Sequence, residues 1–235
     1  MLTERQKSIL EATVWKHILT GHPIASQELL HEHRLEISPA TIRSEMQYLD
    51  EEGYLTQPHT SAGRIPTDHG YRFFVDNLLS AFSLTVREEK RIERAFDAGE
   101  KEQCIRELGN AVAELSGTFV IAGILDSFFY KTGFSRIMEQ PESHDVEYIK
   151  TFSRLIDVLD EGMGVLIKEC GEEAERIFIG EENPIEEAHS YSMVVSRWRH
   201  SDGSDGFVTC VSPRRTDYQR QKAIAHCINS RTYDE

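Results

Sequence analysis

The chain has 235 residues, of which 39% are hydrophobic and 28% charged, and it carries a formal net charge of −14. This balance excludes a disordered chain and predicts a globular protein. No apolar run approaches the ~20 residues of a transmembrane helix, and the N-terminus lacks the charged-then-apolar pattern of an export signal, so we expect a cytoplasmic protein without a membrane partner. The acidic charge argues against a protein that coats nucleic acid, so any DNA contact has to be local.

The chain begins with a strong helix signal. Thr3 and Gln6 have the spacing of a capping box, and apolar residues follow at helical intervals. These features predict a helix over residues 3–20, which Gly21 ends. A second, shorter helix is predicted over residues 27–33.

A third helix and a loop rich in turn residues follow. Ser38 before Pro39 is the pattern of an N-cap and a first-turn proline, which predicts a helix over residues 39–52. "YLTQ" predicts a short strand, "QPHTSAGRIPTDHGY" a loop, and Thr67 the start of another helix. This order is typical of a winged helix-turn-helix over residues 1–80. A small helical domain with the same order of elements is the alternative.

The third helix has an apolar and a polar face. Ile42, Met46 and Leu49 are spaced to face the core. The opposite face turns acidic after Gln47, so only its first half suits a major groove, where Arg43 fits guanine and Gln47 fits adenine. A solvated helix face is the competing interpretation. The candidate DNA-binding residues of this segment are Ser38, Ala40, Thr41, Arg43, Ser44 and Gln47.

The loop is unusual in this acidic chain because it holds no acid before Asp68. A wing that reaches DNA needs hydroxyls for phosphate oxygens, a glycine for close approach and a cation. The candidate wing residues are His59, Thr60, Ser61, Gly63 and Arg64. We expect the loss of Arg64 to matter most. An ordinary turn between two strands is the alternative.

The rest of the chain mixes helices with strands. Residues 81–117 have a helical pattern, which predicts a linker, a dimerisation segment or both. Over residues 118–235, "TFVIAGI", "RIFIG", "SMVVSRW" and "FVTCVS" predict strands, while residues 146–159 and "TDYQRQKAIAHCIN" predict helices. "SDGSDG" predicts a tight hairpin turn rather than a calcium loop, since it lacks the closing Glu. This mixture of strands and helices predicts an α+β domain over residues 118–235.

No pattern points to catalysis or to a bound cofactor. The chain lacks a phosphate-binding glycine loop, and the paired acids of "GEENP" have no base or nucleophile beside them. The widely spaced cysteines predict reduced, structural thiols rather than a zinc site. They are Cys104, Cys170, Cys210 and Cys227. We therefore expect no enzyme, no cofactor and no metal.

Several segments resemble one protein family. "LTERQKSIL", "SPATIRSEMQYLDEEGYLTQPHTSAGRIPTDHGYRFFVDNLL", "GFSRIMEQPE", "IFIGEENP" and "SPRRTDY" are similar to the bacterial heat-inducible transcription repressors, HrcA. The resemblance implies a winged helix that reads DNA, a GAF-like domain interrupted by an inserted dimerising domain, and regulation by the GroE chaperonin. This chain is short, so we expect a reduced GAF-like domain without the insertion.

These observations predict a dimeric repressor of heat-shock genes that binds an inverted-repeat operator. The inverted repeat, the target genes and the chaperonin are implied by the resemblance alone. The alternative is a regulatory protein-interaction module whose winged helix no longer binds DNA. A net charge of −4 over residues 1–80, which hold 7 basic and 11 acidic side chains, favours that alternative.

Overall fold

The structure is a computed structural model that describes residues 2–31, 37–60, 62–125, 127–200 and 202–233. The chain divides into two compact units, Met1–Ser80 and Ala81–Glu235. Helices in both units and a five-stranded antiparallel sheet in the second confirm the predicted α+β class. In the ranges given above, no helix is both long and apolar enough to span a bilayer.

In its described residues, the first unit contains three α-helices and a small hairpin. Its elements are α1 (Glu4–Thr20), a 3-10 helix (Glu28–His31), α2 (Pro39–Glu51), β1 (Leu55–Thr56), β2 (Ile65–Pro66) and α3 (Asp68–Asn77). The capping box at Thr3 and Gln6 is present, and Gly21 ends α1 with φ of 73°. β1 and β2 pair antiparallel.

The second predicted helix, over residues 27–33, differs from the structure. Glu28–His31 forms a 3-10 helix, Gln27 lies in the turn before it, and residues 32–33 lie outside the described residues. The turn is tight because the Glu28 amide donates to the Ala25 carbonyl, while the Glu28 carboxylate accepts from the Ala25 amide at 2.7 Å. These local bonds favour the three-residue spacing of a 3-10 turn over an α-helix.

The core of the first unit lies between α1, α2 and α3. Ile42, Met46 and Leu49 are all buried, which confirms the predicted apolar face of α2. Trp15 of α1 packs edge-to-face on Phe74 of α3, with ring centroids 5.4 Å apart. This apolar burial fixes which side of α2 faces solvent.

The second unit is a three-layer sandwich. Its elements are α4 (Val86–Phe96), α5 (Lys101–Ser116), β3 (Phe119–Ile124), β4 (Phe128–Thr132), α6 (Phe134–Met138), α7 (Val146–Cys170), β5 (Glu175–Ile179), β6 (Tyr191–Arg199), β7 (Asp205–Pro213) and α8 (Tyr218–Tyr233). The strand order is β4-β3-β7-β6-β5, antiparallel throughout. One core lies between the sheet and α4, α5 and α8, and the other between the sheet and α7. The two helices within residues 81–117 therefore pack on the sheet.

Two of the sequence segments quoted above are held by polar contacts, which are local in the first segment and long-range in the second. In "IFIGEENP", the buried Asn183 amide group donates to the carbonyls of Gly180, Ala188 and Tyr191, at 2.7 to 3.2 Å. In "SPRRTDY", Arg215 forms a two-pronged ion pair with Glu142, which lies in "GFSRIMEQPE". The ion pair thus joins "SPRRTDY" and "GFSRIMEQPE" within the second unit.

Arg220 joins three helices of the second unit. Its guanidinium bonds the carboxylate of Glu88 in α4 and the carbonyl of Leu115 in α5, while Arg220 itself lies in α8. Glu88 also closes a capping box with Thr85. The Thr85 backbone amide and hydroxyl and the Arg220 guanidinium lower the pKa of Glu88 to about 2.

We expect Glu88→Gln to destabilise the second unit in a pH-dependent way. Folding lowers this pKa from 4.5, so the ionised carboxylate stabilises the unit fully above about pH 4.5 and loses its effect as the pH falls toward 2. The variant should lose about 1–2 kcal/mol of unfolding free energy at pH 7 and much less than that at pH 2.5. Urea unfolding at both pH values measures this, with Glu89→Gln as the same-turn control. An equal difference at both pH values would contradict it.

Candidate nucleic-acid interface

The N-terminus of α2 is capped and open to solvent. Ser38 accepts a hydrogen bond from the Thr41 backbone amide at 3.1 Å, and its hydroxyl lies 2.9 Å from that of Thr41. Ser38 and Ala40 are exposed and Thr41 is half-buried. The first turn holds no acid. An approaching anion therefore meets hydroxyls and the positive end of the helix dipole.

The exposed face of α2 carries Arg43, Ser44 and Gln47, as the sequence predicted. The Gln47 side-chain amide donates to the Glu51 carboxylate at 3.0 Å. That bond leaves the Gln47 carbonyl oxygen and its second N–H available for a base edge. The face offers donors and acceptors over its first two turns and negative charge beyond them.

The loop between β1 and β2 is closed by one side chain. Gln57 donates from its amide group to the carbonyls of Thr60 at 3.2 Å and Ala62 at 2.8 Å. The Ala62 amide in turn donates to the His59 carbonyl. His59 and Thr60 are exposed, and Ser61 lies outside the described residues. The sequence analysis missed Gln57, because a glutamine beside a Gly/Pro-rich loop carries no pattern of its own.

Gly63 allows two backbone segments to approach closely and does not lie at an open loop tip. A Cβ at this position would lie 2.3 Å from the carbonyl carbon of Ile24 and 2.8 Å from the Ala25 nitrogen. The neighbouring Arg64 exchanges two backbone hydrogen bonds of 2.9 Å with Ile24. The chain before the 3-10 helix thus pairs with the residue that precedes β2, and only glycine at position 63 allows this approach.

The structure places Arg64 against α2. Its Nε donates to the Asp50 carboxylate at 3.0 Å, and its side chain is only 18% exposed. The ion pair compensates one of the three consecutive acids at the C-terminal end of α2, Asp50, Glu51 and Glu52. The same ion pair connects the hairpin between β1 and β2 to α2. Arg64 therefore influences the proposed interface through Asp50.

The base of the hairpin is fixed by residues that the sequence analysis did not assign to the site. Tyr54 stacks on His69 with ring centroids 4.3 Å apart. The Thr67 hydroxyl donates to the Gly53 carbonyl at 2.6 Å and accepts from the Gly70 amide at 3.0 Å. The only sequence signal here was Thr67 as a helix cap. These contacts orient β1 and β2 relative to α3.

Comparison with known proteins identifies the family. The family model for the HrcA protein C-terminal domain matches residues 73–221. The chain belongs to the HrcA family. A heat-inducible transcription repressor HrcA from Chloroflexus aggregans is 50% identical over 95 residues, which cover 40% of this chain and 25% of the relative. HrcA from Pelotomaculum thermopropionicum is 33% identical over 187 residues, covering 69% of this chain and 54% of the relative.

The chain thus spans a quarter to about half of these HrcA relatives. They carry the name of a transcription regulator and not of an enzyme. A crystal structure of a hypothetical protein aligns with a TM-score of 0.75 and 19% identity, over 98% of this chain and 97% of its own. At that identity, the likeness supports the fold alone.

Proposed function

We propose that this HrcA-family chain is a sequence-specific, DNA-binding transcriptional repressor of heat-shock genes. In this proposal, residues 1–80 form a winged helix-turn-helix and residues 118–235 a reduced GAF-like regulatory domain. The observation that carries the proposal is the exposed polar face of α2, which begins at a capped N-terminus free of acid in its first turn. Recognition helices enter the major groove by such N-terminal residues.

Each candidate residue has a defined part in the proposed complex. Arg43 reads guanine, Gln47 reads adenine, and Ser44 lies between them on the same face. The hydroxyls of Ser38 and Thr41, together with the Ala40 backbone, contact phosphate at the start of α2.

The wing has its own residues in the proposed complex. His59 and Thr60 belong to the wing, and the hydroxyls of Thr60 and Ser61 are assigned to phosphate contact from the sequence. Gly63 and Arg64 hold the wing in place.

The operator is expected to be two-fold. Two recognition helices enter successive major grooves when two copies meet about a two-fold axis, which matches an inverted repeat. If each copy neutralises ~2–3 phosphates, the log–log slope of affinity against salt is on the order of −4 to −5. The GroE-type chaperonin is proposed as a further partner on the family resemblance alone.

Binding to an inverted-repeat duplex and to a scrambled duplex of equal length tests the proposal. We expect preferential binding to the inverted repeat, with an affinity that falls as salt rises. Equal affinity for both duplexes, or no dependence on salt, would overturn it.

We expect Arg43→Ala to weaken operator binding about tenfold and to relax discrimination at the guanine it reads. The cause is the lost bidentate contact, since Arg43 is exposed and the fold does not need it. Titration of operator and single-base variants measures both effects. Arg154→Ala, which removes an equal charge from a 65% exposed side chain of α7, is the matched control. Equal losses from both variants would indicate a general charge effect instead.

A protein-interaction module without DNA binding is the second candidate. The pairing of Arg64 with Asp50 favours it, because the cation predicted for the wing is already compensated. Unchanged operator binding by Arg43→Ala and Arg64→Ala together would support this candidate.

A further inference from the structure

The strand β4 forms one edge of the sheet in the second unit. In the described part of the chain, Phe128–Thr132 pairs with β3 on one side and with no strand on the other. The strand contains no proline, and its only charged residue is Lys131. Natural proteins usually protect such an edge with charge, proline or a covering segment, because it is a template for another strand.

Side chains on one face of β4 are already held by α5. The Arg106 guanidinium lies over the rings of Phe128 and Tyr130, 5.0 and 5.1 Å from their centroids. Asn110 accepts hydrogen bonds from the hydroxyls of Tyr130 and Thr132, both at 3.1 Å. Every side chain on this face of the strand therefore has a partner within the unit.

The other face of β4 is held in the same way. Phe129 packs edge-to-face on Phe207, with centroids 5.5 Å apart, and Lys131 forms a 2.9 Å ion pair with Asp160 of α7. The strand is thus ordered before anything pairs with its outer edge. A partner strand would meet little further entropic cost from β4.

The opposite edge of the sheet is different. β5 begins with Glu175 and Arg176, and the Arg176 guanidinium folds back over Phe178 at 5.0 Å. Arg176 also donates to the carbonyl of Glu169. Charges and a side chain folded along the strand are the usual means of discouraging strand addition. The two edges of one sheet therefore differ in this protection.

We propose that β4 is the surface through which two copies of this chain pair, edge to edge and antiparallel, about a two-fold axis through Tyr130. Side chains alternate between faces, so a two-fold axis perpendicular to the sheet pairs only residues of the same face. A two-fold axis through Tyr130 pairs all five residues of the strand with the other copy. An axis through Phe129 or Lys131 pairs only three.

The charges of β4 favour a second copy as the occupant. With the axis at Tyr130, Lys131 lies opposite Phe129 of the other copy and no like charges meet. An axis at Lys131 would oppose two lysines, which destabilises cross-strand pairs. The register that pairs the most residues of β4 is therefore also the one in which its charges do not repel. This inference deepens the proposed function by naming the surface of the dimer.

Sedimentation equilibrium of the full chain without DNA gives the first test. We expect a reversible dimer whose dissociation constant rises on the order of tenfold in Phe129→Lys, because the new lysine faces Lys131 of the other copy twice per dimer. Ile177→Lys, an apolar-to-lysine change at a half-buried position of β5, is the control and should leave the dissociation constant unchanged.

Cross-linking tests the register independently of any loss of stability. Opposed residues on a two-fold axis come close enough for a disulfide. Mild oxidation of Tyr130→Cys should therefore give a covalent dimer on a non-reducing gel. Lys131→Cys should give none, since Lys131 lies opposite Phe129 and its counterpart in the other copy is two residues further along the paired strand, about 7–8 Å away and too far for a disulfide.

Each outcome decides the proposal. A dimer that is weakened by Phe129→Lys and cross-linked by Tyr130→Cys supports it. A chain that stays monomeric, a dimer insensitive to Phe129→Lys, or cross-linking by Lys131→Cys alone overturns it. These measurements contain no DNA, so their failure is separate from failure of the proposed operator binding.

Discussion

Replacing Gly63 with alanine is expected to destabilise the first unit by about 3 kcal/mol or more and to lower its melting temperature by roughly 15 °C. The added Cβ would lie 2.3 Å from the carbonyl carbon and 2.4 Å from the carbonyl oxygen of Ile24. These are backbone atoms, which cannot turn aside as a flexible side chain does. The two hydrogen bonds between Ile24 and Arg64 have to break.

Hydrogen exchange at the amides of Ile24 and Arg64, together with thermal unfolding, measures this effect. Both amides should exchange much faster in Gly63→Ala, and operator binding should fall with them because the wing loses its anchor. Gly164→Ala is the matched control: its Cβ meets nothing within 4 Å, so helix propensity should stabilise α7 by about 0.5–1 kcal/mol. Parental exchange and melting in Gly63→Ala would contradict the close contact.

Local signals predicted most helix starts. Thr3, Ser38 and Thr67 each precede a helix in the structure and each cap it through the side chain. The three apolar residues of α2 are buried as their spacing predicted. Such features depend on residues three or four apart, which is the range that periodicity and capping patterns report.

Packing between residues far apart in the sequence explains where the predicted and observed elements of the second unit differ. The helix predicted over residues 146–159 continues to Cys170 as α7, although Gly162 and Gly164 argue against a helix by propensity. Glycine at 162 lets the Ile185 side chain pack close to α7, since a Cβ there would lie 2.6 Å from the end of that side chain. β4 was not predicted, because side chains on both of its faces are half-buried and the residues "FFYKT" do not alternate.

The sequence predicted which residues lie on the exposed face of α2, but not which residues Gly63 and Arg64 contact. The exposed polar face of α2 follows from the apolar spacing on its other side, so Arg43, Ser44 and Gln47 were placed correctly. The roles of Gly63 and Arg64 depend on Ile24 and Asp50, which lie 39 and 14 residues away in the sequence. A single sequence carries no signal for such pairs, and a polar, acid-free loop was therefore interpreted as an open wing.

Replacing Arg64 with alanine is expected to weaken operator binding roughly a hundredfold, about 2.7 kcal/mol. The structure gives this prediction a different physical reason from direct phosphate contact. Arg64 and Asp50 are 18% and 31% exposed and lie 3.0 Å apart, so the substitution leaves a partly buried carboxylate without its cation. That charge would repel the DNA backbone at the end of the proposed recognition helix, where Glu51 and Glu52 already add negative charge.

A double substitution separates the two explanations. If Arg64 acts by compensating Asp50, then Asp50→Asn should restore most of the binding lost in Arg64→Ala, and the salt dependence of the double variant should match that of the parent. If Arg64 contacts phosphate, Asp50→Asn restores nothing and the log–log slope falls by about one per protomer. Operator titrations at several salt concentrations measure both quantities. Rescue would mean that an acidic protein binds DNA here by cancelling its own charge beside the helix, with base contacts left to Arg43 and Gln47.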